Sequence, residues 1–145
     1  MNKVTVLVVD DDVDFVKANQ TALENAGFKV LTAYSGTEGM QMARENHVDV
    51  AILDVIMETA DRGFTLAREM RNEEKTKSIP LVMLTSVNEV NQKAGFLFTF
   101  SDKDRDDSWL PIDKFLDKPV KPKELVDVVN RLMGEGSKAS ENFSS

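Results

Sequence analysis

Residues 6–15 read VLVVDDDVDF: four apolar residues, three of them β-branched, run without a break into three consecutive aspartates. An apolar run that short, with no polar alternation, is the pattern of a strand buried on both faces. In an α/β domain such strands belong to a parallel sheet covered by helices on either side. The aspartates pose a chemical question, because carboxylates held together at the end of a buried strand repel one another and need a positive charge to offset them.

Working outward from this stretch, strand and helix patterns alternate. Residues 4–9 predict the first strand. Residues 13–26 carry Phe15, Val16, Ala22 and Leu23 at helical spacing, and Gly27 stops the helix. Residues 28–33 predict a second strand. Ser35 predicts the cap of a helix reaching residue 46, with Glu38 three positions on completing a capping box. Residues 48–53 predict a strand ending at Asp54, 63–74 a helix, 79–84 a strand ending at Thr85, 112–116 a short fifth strand, and 123–133 a last helix ended by Gly134. The pattern implies a doubly wound five-stranded parallel sheet with helices on both faces. We expect a domain over residues 1–133, with 134–145 (GEGSKASENFSS) as a disordered tail or the start of a linker. Residues 86–111 break the pattern. A helix is expected over 88–94, followed by alternating Phe96, Phe98 and Phe100, an acidic run and Trp109. A stretch this long without clear structure is uncommon in a compact domain and is often functional.

Bulk properties narrow the function classes. The net charge of −7 argues against a direct nucleic-acid surface, which is usually basic. The absence of cysteine excludes disulfides, thiolate metal sites and cysteine nucleophiles. No apolar run approaches the ~20 residues of a membrane span, and the N-terminal residues read as a strand rather than a signal peptide. A cytoplasmic location is expected.

In a parallel α/β sheet the residues just past the strand ends gather along one edge. Here those positions hold Asp10, Asp11 and Asp12 after the first strand, Asp54 after the third, Thr85 after the fourth and Lys118 after the fifth. Clustered carboxylates suit Mg²⁺, a hard cation that takes one or two carboxylates together with phosphate oxygens. A hydroxyl and an ammonium suit the remaining oxygens of a phosphoryl group.

With VLVVDDD, AILD, LVMLTS and FLDKPV in this order, the sequence resembles the receiver domain of bacterial two-component response regulators. The resemblance covers about residues 3–133. It implies the flavodoxin-like strand order 2-1-3-4-5. It further implies that Asp54 is the phosphoacceptor, that Asp10 and Asp11 hold Mg²⁺ with the backbone carbonyl of Ile56 as a further ligand, and that Thr85 and Lys118 bond phosphoryl oxygens. Phe115 falls at the family's aromatic switch position, and the Lys118–Pro119 bond is implied to be cis. The implied partners are a sensor histidine kinase or histidine phosphotransfer protein, and a downstream protein target. Homodimerisation is left open, and no direct nucleic-acid or membrane contact is expected. The implied chemistry is the chain's own phosphorylation and dephosphorylation rather than turnover as an enzyme.

Three departures from the family pattern stand out. Met57 is followed by Glu58 rather than proline, and the loop to Gly63 is one residue longer. Thr85 and Lys118 are 33 positions apart, more than the family usually has, so an insertion is expected where it places a helix between its fourth and fifth strands. Ile56 and Val87, two positions past the aspartate and the threonine, are apolar and cannot orient a water by hydrogen bonds, which predicts slow self-dephosphorylation.

Competing readings are weaker. A pseudo-receiver that binds without phosphorylation is supported only by the altered loop after Asp54. A haloacid-dehalogenase-like phosphatase would use Asp10 and Asp12 as its Asp-x-Asp pair, but lacks a further acidic pair after a late strand. A flavin-binding module would not place three aspartates against a phosphate. Asp12 also reads as a plain helix cap, and His47 as a surface residue. Residues 102–113 (DKDRDDSWLPID) read as a solvated acidic loop rather than a calcium loop, which needs glycine at its sixth position.

Overall fold

The computed structural model describes residues 3–57, 59–86 and 112–136. Among them, strands β1 (Thr5–Val9), β2 (Lys29–Ala33), β3 (Val50–Asp54), β4 (Leu81–Ser86) and β5 (Lys114–Lys118) alternate with helices α1 (Val13–Asn25), α2 (Gly36–Glu45), α3 (Arg62–Arg71) and α4 (Pro122–Gly136). The strands form one sheet in the order β2-β1-β3-β4-β5, and every pairing is parallel. This is the predicted doubly wound architecture.

The period of two along each strand divides the core into halves. Leu7, Val9, Ala51, Leu53, Leu81 and Met83 point to one face and pack with Met40, Ala43, Leu66, Ala67 and Met70 of α2 and α3. Their neighbours Val6, Val8, Val50, Ile52, Val82 and Leu84 point to the other and pack with Val16, Leu23, Leu125, Val128 and Val129 of α1 and α4. Residues of β1 and β3 are buried throughout, whereas the edge strands β2 and β5 are partly exposed. That contrast is what a sheet covered on both faces requires of central and edge strands.

Local chemistry sets the element ends. The Asp12 carboxylate caps α1 by accepting from Phe15 N–H, and Ser35 caps α2 by accepting from Glu38 N–H. Glu38 reaches back to Tyr34 N–H rather than to the cap residue itself. Helix α1 stops in a Schellman turn: Phe28 N–H bonds Leu23 C=O, Gly27 N–H bonds Glu24 C=O, and Gly27 has φ 101°. Phe28 and Leu23 are both buried in the same half of the core. The start of β5 is clamped. The Asp113 carboxylate accepts from Leu81 N–H and from Arg71, while Asp113 N–H donates to Leu81 C=O. Arg71 in turn donates to the carbonyls of Lys77 and Ile79.

Several boundaries differ from expectation. Strands β3, β4 and β5 each begin two residues later than predicted and end later, so Asp54 and Lys118 are the last residues of their strands and Thr85 lies within β4. Val48 and Ile79 are buried, and Ile112 is partly buried, but all three precede the ladder. Helix α3 spans Arg62–Arg71 rather than 63–74. Gly134 does not end the last helix, which runs on to Gly136. Only Gly27 among the described glycines has positive φ; Gly134 keeps helical backbone, at a cost of about 1 kcal/mol relative to alanine that does not by itself end a helix. The expected helix over 88–94, the phenylalanines at 96, 98 and 100, most of the acidic run and residues 137–145 lie outside the described residues.

The chain after β3 returns to the sheet at Gly63, whose N–H bonds Val55 C=O at 2.8 Å. A Cβ on Gly63 would stand 2.7 Å from Val55 Cα and press on the Asp54 carbonyl. Both obstacles are backbone, so Gly63→Ala is expected to lower the unfolding free energy by about 1–3 kcal/mol, read from urea denaturation.

Candidate functional site

The carboxyl ends of β1 and β3 bring Asp10 and Asp54 together, because these strands are neighbours with Val9 opposite Leu53. One carboxylate oxygen each from Asp10, Asp11 and Asp54 lie within 4.8 Å of one another. Asp10 is 1% exposed and Asp54 7%, while Asp11 faces solvent. Three acids at ligand spacing, two of them buried, with an open side at Asp11, fit a hard divalent cation.

From β5, the Lys118 ammonium bonds Asp10 Oδ2 at 3.0 Å and Asp54 Oδ1 at 3.1 Å. It also sits 4.7 Å from the centre of the Phe15 ring on α1, a favourable cation–π position. Asp10 Oδ1 accepts from Asp12 N–H, so both oxygens of Asp10 have partners within the chain.

The electrostatics follow from burial. Desolvation raises the Asp10 pKa, opposed by the Asp12 N–H and by Lys118. Desolvation, then the neighbouring Asp10 charge, pushes Asp54 up to about 7 against the pull of Lys118. Burial works against the Lys118 charge, but the two carboxylates outweigh it and hold its pKa above the ordinary value. One ammonium against three carboxylates leaves the site short of positive charge.

The other predicted residues are distributed as follows. Thr85 lies on β4 one residue past Leu84, the register partner of Asp54, and its hydroxyl donates to Asp117 Oδ1 at 3.1 Å. Phe115 and Ile56 are partly buried against the core half under α2 and α3. The Lys118–Pro119 bond is cis. Asp12 is a helix cap, as read. His47 is exposed and pairs with Asp49 at 2.8 Å. Val87 lies outside the described residues. Asp113, the last acid of the run read as a solvated loop, serves the β5 clamp.

Sequence reasoning missed the contacts of Asp117 and of Phe15 with this region. FLDKPV displays an acid beside the lysine, yet nothing local tells that it meets Thr85. Phe15 reads only as an apolar helix position.

Comparison with known proteins identifies the family of this chain. The family model of the response regulator receiver domain matches residues 6–99. The transcriptional regulatory protein GltR of Pseudomonas aeruginosa is 32% identical over 89% of this chain and 48% of its own length. The chain spans about half the length of the curated relatives it matches. Among solved structures, the chemotaxis response regulator CheY4 of Vibrio cholerae is 26% identical, with TM-score 0.72 over 90% of this chain and 98% of that one. A CheY-like receiver domain protein of Methanospirillum hungatei JF-1, 20% identical, shares the fold with TM-score 0.76 over 95% and 99%.

A carboxyl whose pKa is higher folded than unfolded stabilises the fold most at low pH, and that contribution fades as pH rises through the folded value. For Asp54 the window runs from the ordinary 3.8 to about 7. Without divalent cations, Asp54→Asn is therefore expected to raise the melting temperature at pH 8 by roughly 3–6 °C and to change it little near pH 4. Melting curves at the two pH values check this.

Proposed function

The chain belongs to the response regulator receiver domain family, and we propose that it accepts a phosphoryl group on Asp54 from a histidine-phosphorylated partner, as signalling receivers do. The observation that carries the assignment is the Asp54 carboxylate, set at ligand distance from Asp10 and Asp11 and 3.1 Å from the Lys118 ammonium. That is an acceptor beside a cation site and a fixed positive charge.

In the proposed transfer, one Asp54 oxygen attacks the phosphorus of a phosphohistidine on a sensor histidine kinase or histidine phosphotransfer protein. The P–O bond forms as the P–N bond breaks, and the imidazole leaves and takes up a proton. Asp10, Asp11, Asp54 and the Ile56 carbonyl would hold Mg²⁺, which supplies positive charge to the phosphoryl oxygens. Lys118 shifts from the carboxylates to a phosphoryl oxygen, and the Thr85 hydroxyl donates to another. Phe115, on the same face of the sheet as Thr85, then repacks. Phosphorylation thereby shifts a two-state equilibrium of this face, read by a downstream protein. We place the unit in the cytoplasm, where such phosphodonors present their histidines, and assign it residues 1–133.

The phosphatase alternative gains nothing from the geometry. Asp12, its would-be acid, is occupied as the cap of α1.

Acetyl phosphate with Mg²⁺ is expected to add about 80 Da, the mass of the dianionic group that a phosphorylation introduces. The gain should require Mg²⁺ and vanish in Asp54→Ala. A gain lost in Asp10→Ala but kept in Asp54→Ala would favour the phosphatase, and no gain even from a cognate kinase would favour a pseudo-receiver. After the phosphodonor is removed, the decay of the added mass is expected to take minutes to hours at room temperature, because the apolar Ile56 and Val87 offer an attacking water no hydrogen bond. A half-life of seconds would refute that expectation.

A further inference from the structure

The last two residues of β5 turn to opposite faces of the sheet. Lys118 has the parity of Leu116, which packs in the core half under α1, and its ammonium meets Phe15 of that helix. Asp117 has the parity of Phe115, which packs in the other half. On that second face Asp117 is the register partner of Thr85, which shares the parity of Met83. The pleat thus keeps the Asp117 carboxylate away from its neighbour Lys118, which is committed to Asp10 and Asp54. It turns Asp117 instead to the Thr85 hydroxyl, which donates to Asp117 Oδ1 at 3.1 Å.

A hydroxyl has one proton to donate. A phosphoryl oxygen only accepts, and so does a carboxylate. Thr85 therefore cannot donate to Asp117 and to a phosphoryl group on Asp54 at once. We propose that Asp117 is a brake on the switch: it holds the Thr85 proton in the unphosphorylated protein, and the phosphoryl group must win that proton away. Asp117 acts through Thr85 as a positioning residue. This rests on the assignment of Asp54 as phosphoacceptor.

The contest can be weighed at equilibrium with beryllofluoride, a phosphoryl analogue, and Mg²⁺. Binding is followed by calorimetry and by ¹⁹F resonances of the bound fluorides. Asp117→Ala is expected to bind the analogue about two- to tenfold tighter than the unaltered chain, the range that one net hydrogen bond spans. Asp117→Asn keeps an oxygen able to accept from Thr85 and is expected to stay close to the unaltered chain. In a Thr85→Ala background, adding Asp117→Ala should bring no further gain.

No gain in Asp117→Ala, an equal gain in Asp117→Asn, or a gain that persists without the Thr85 hydroxyl would each overturn the proposal. The second of these would assign the effect to the charge of Asp117 rather than to its hydrogen bond. If the unaltered chain failed to bind beryllofluoride, the assignment of Asp54 would fall and the brake with it. If it bound and Asp117 made no difference, only the brake would fall.

Discussion

Everything at the carboxyl end of this sheet depends on one ammonium that spans three strands. Lys118 leaves the edge strand β5, passes the end of β4 and meets carboxylates at the ends of β1 and β3. Two buried acids side by side are a standing electrostatic cost, and a low local dielectric magnifies it. The ammonium offsets part of that cost without removing it, which is why the Asp54 pKa stays near 7. A site left in this condition favours the arrival of further positive charge. Its incomplete neutralisation is thus what prepares it for a cation, and the stability lost there is recovered from the apolar layers on both faces of the sheet.

Those layers were legible in the sequence because burial on two faces leaves an unmistakable trace. VLVV and AIL have no polar alternation, and Asp10 and Asp54 mark where such runs stop. The helix caps were equally plain, since Asp12, Ser35 and Gly27 act on backbone groups only a few residues away. Strand boundaries were less so. Val48, Ile79 and Ile112 have the composition of strand residues, but whether they join the ladder depends on where the neighbouring strand starts. Gly134 misled because a glycine ends a helix only when the chain turns into the left-handed region, and here it does not.

The site was legible as a set of residue types and only partly as a set of contacts. Strand-end positions and the family resemblance brought Asp10, Asp11, Asp54, Thr85 and Lys118 to one edge. The pairing of Thr85 with Asp117 needs the register of β4 against β5, and no local signal carries a register across the long segment that separates them. The stacking of Lys118 on Phe15 likewise needs the placement of α1 over that end of the sheet.

The clamp at Asp113 has a bearing on how this domain can vary. Ladder bonds hold β4, and Arg71 with Leu81 N–H holds the first turn into β5, so the chain enters β5 at a point fixed by α3 and β4. Whatever path the residues between the two strands take, Phe115, Asp117 and Lys118 are counted from that anchor. Chemistry and connection are thereby insulated from each other. The intervening segment can lengthen or change composition, as a module would be exchanged, while the ammonium keeps its station over the aspartates.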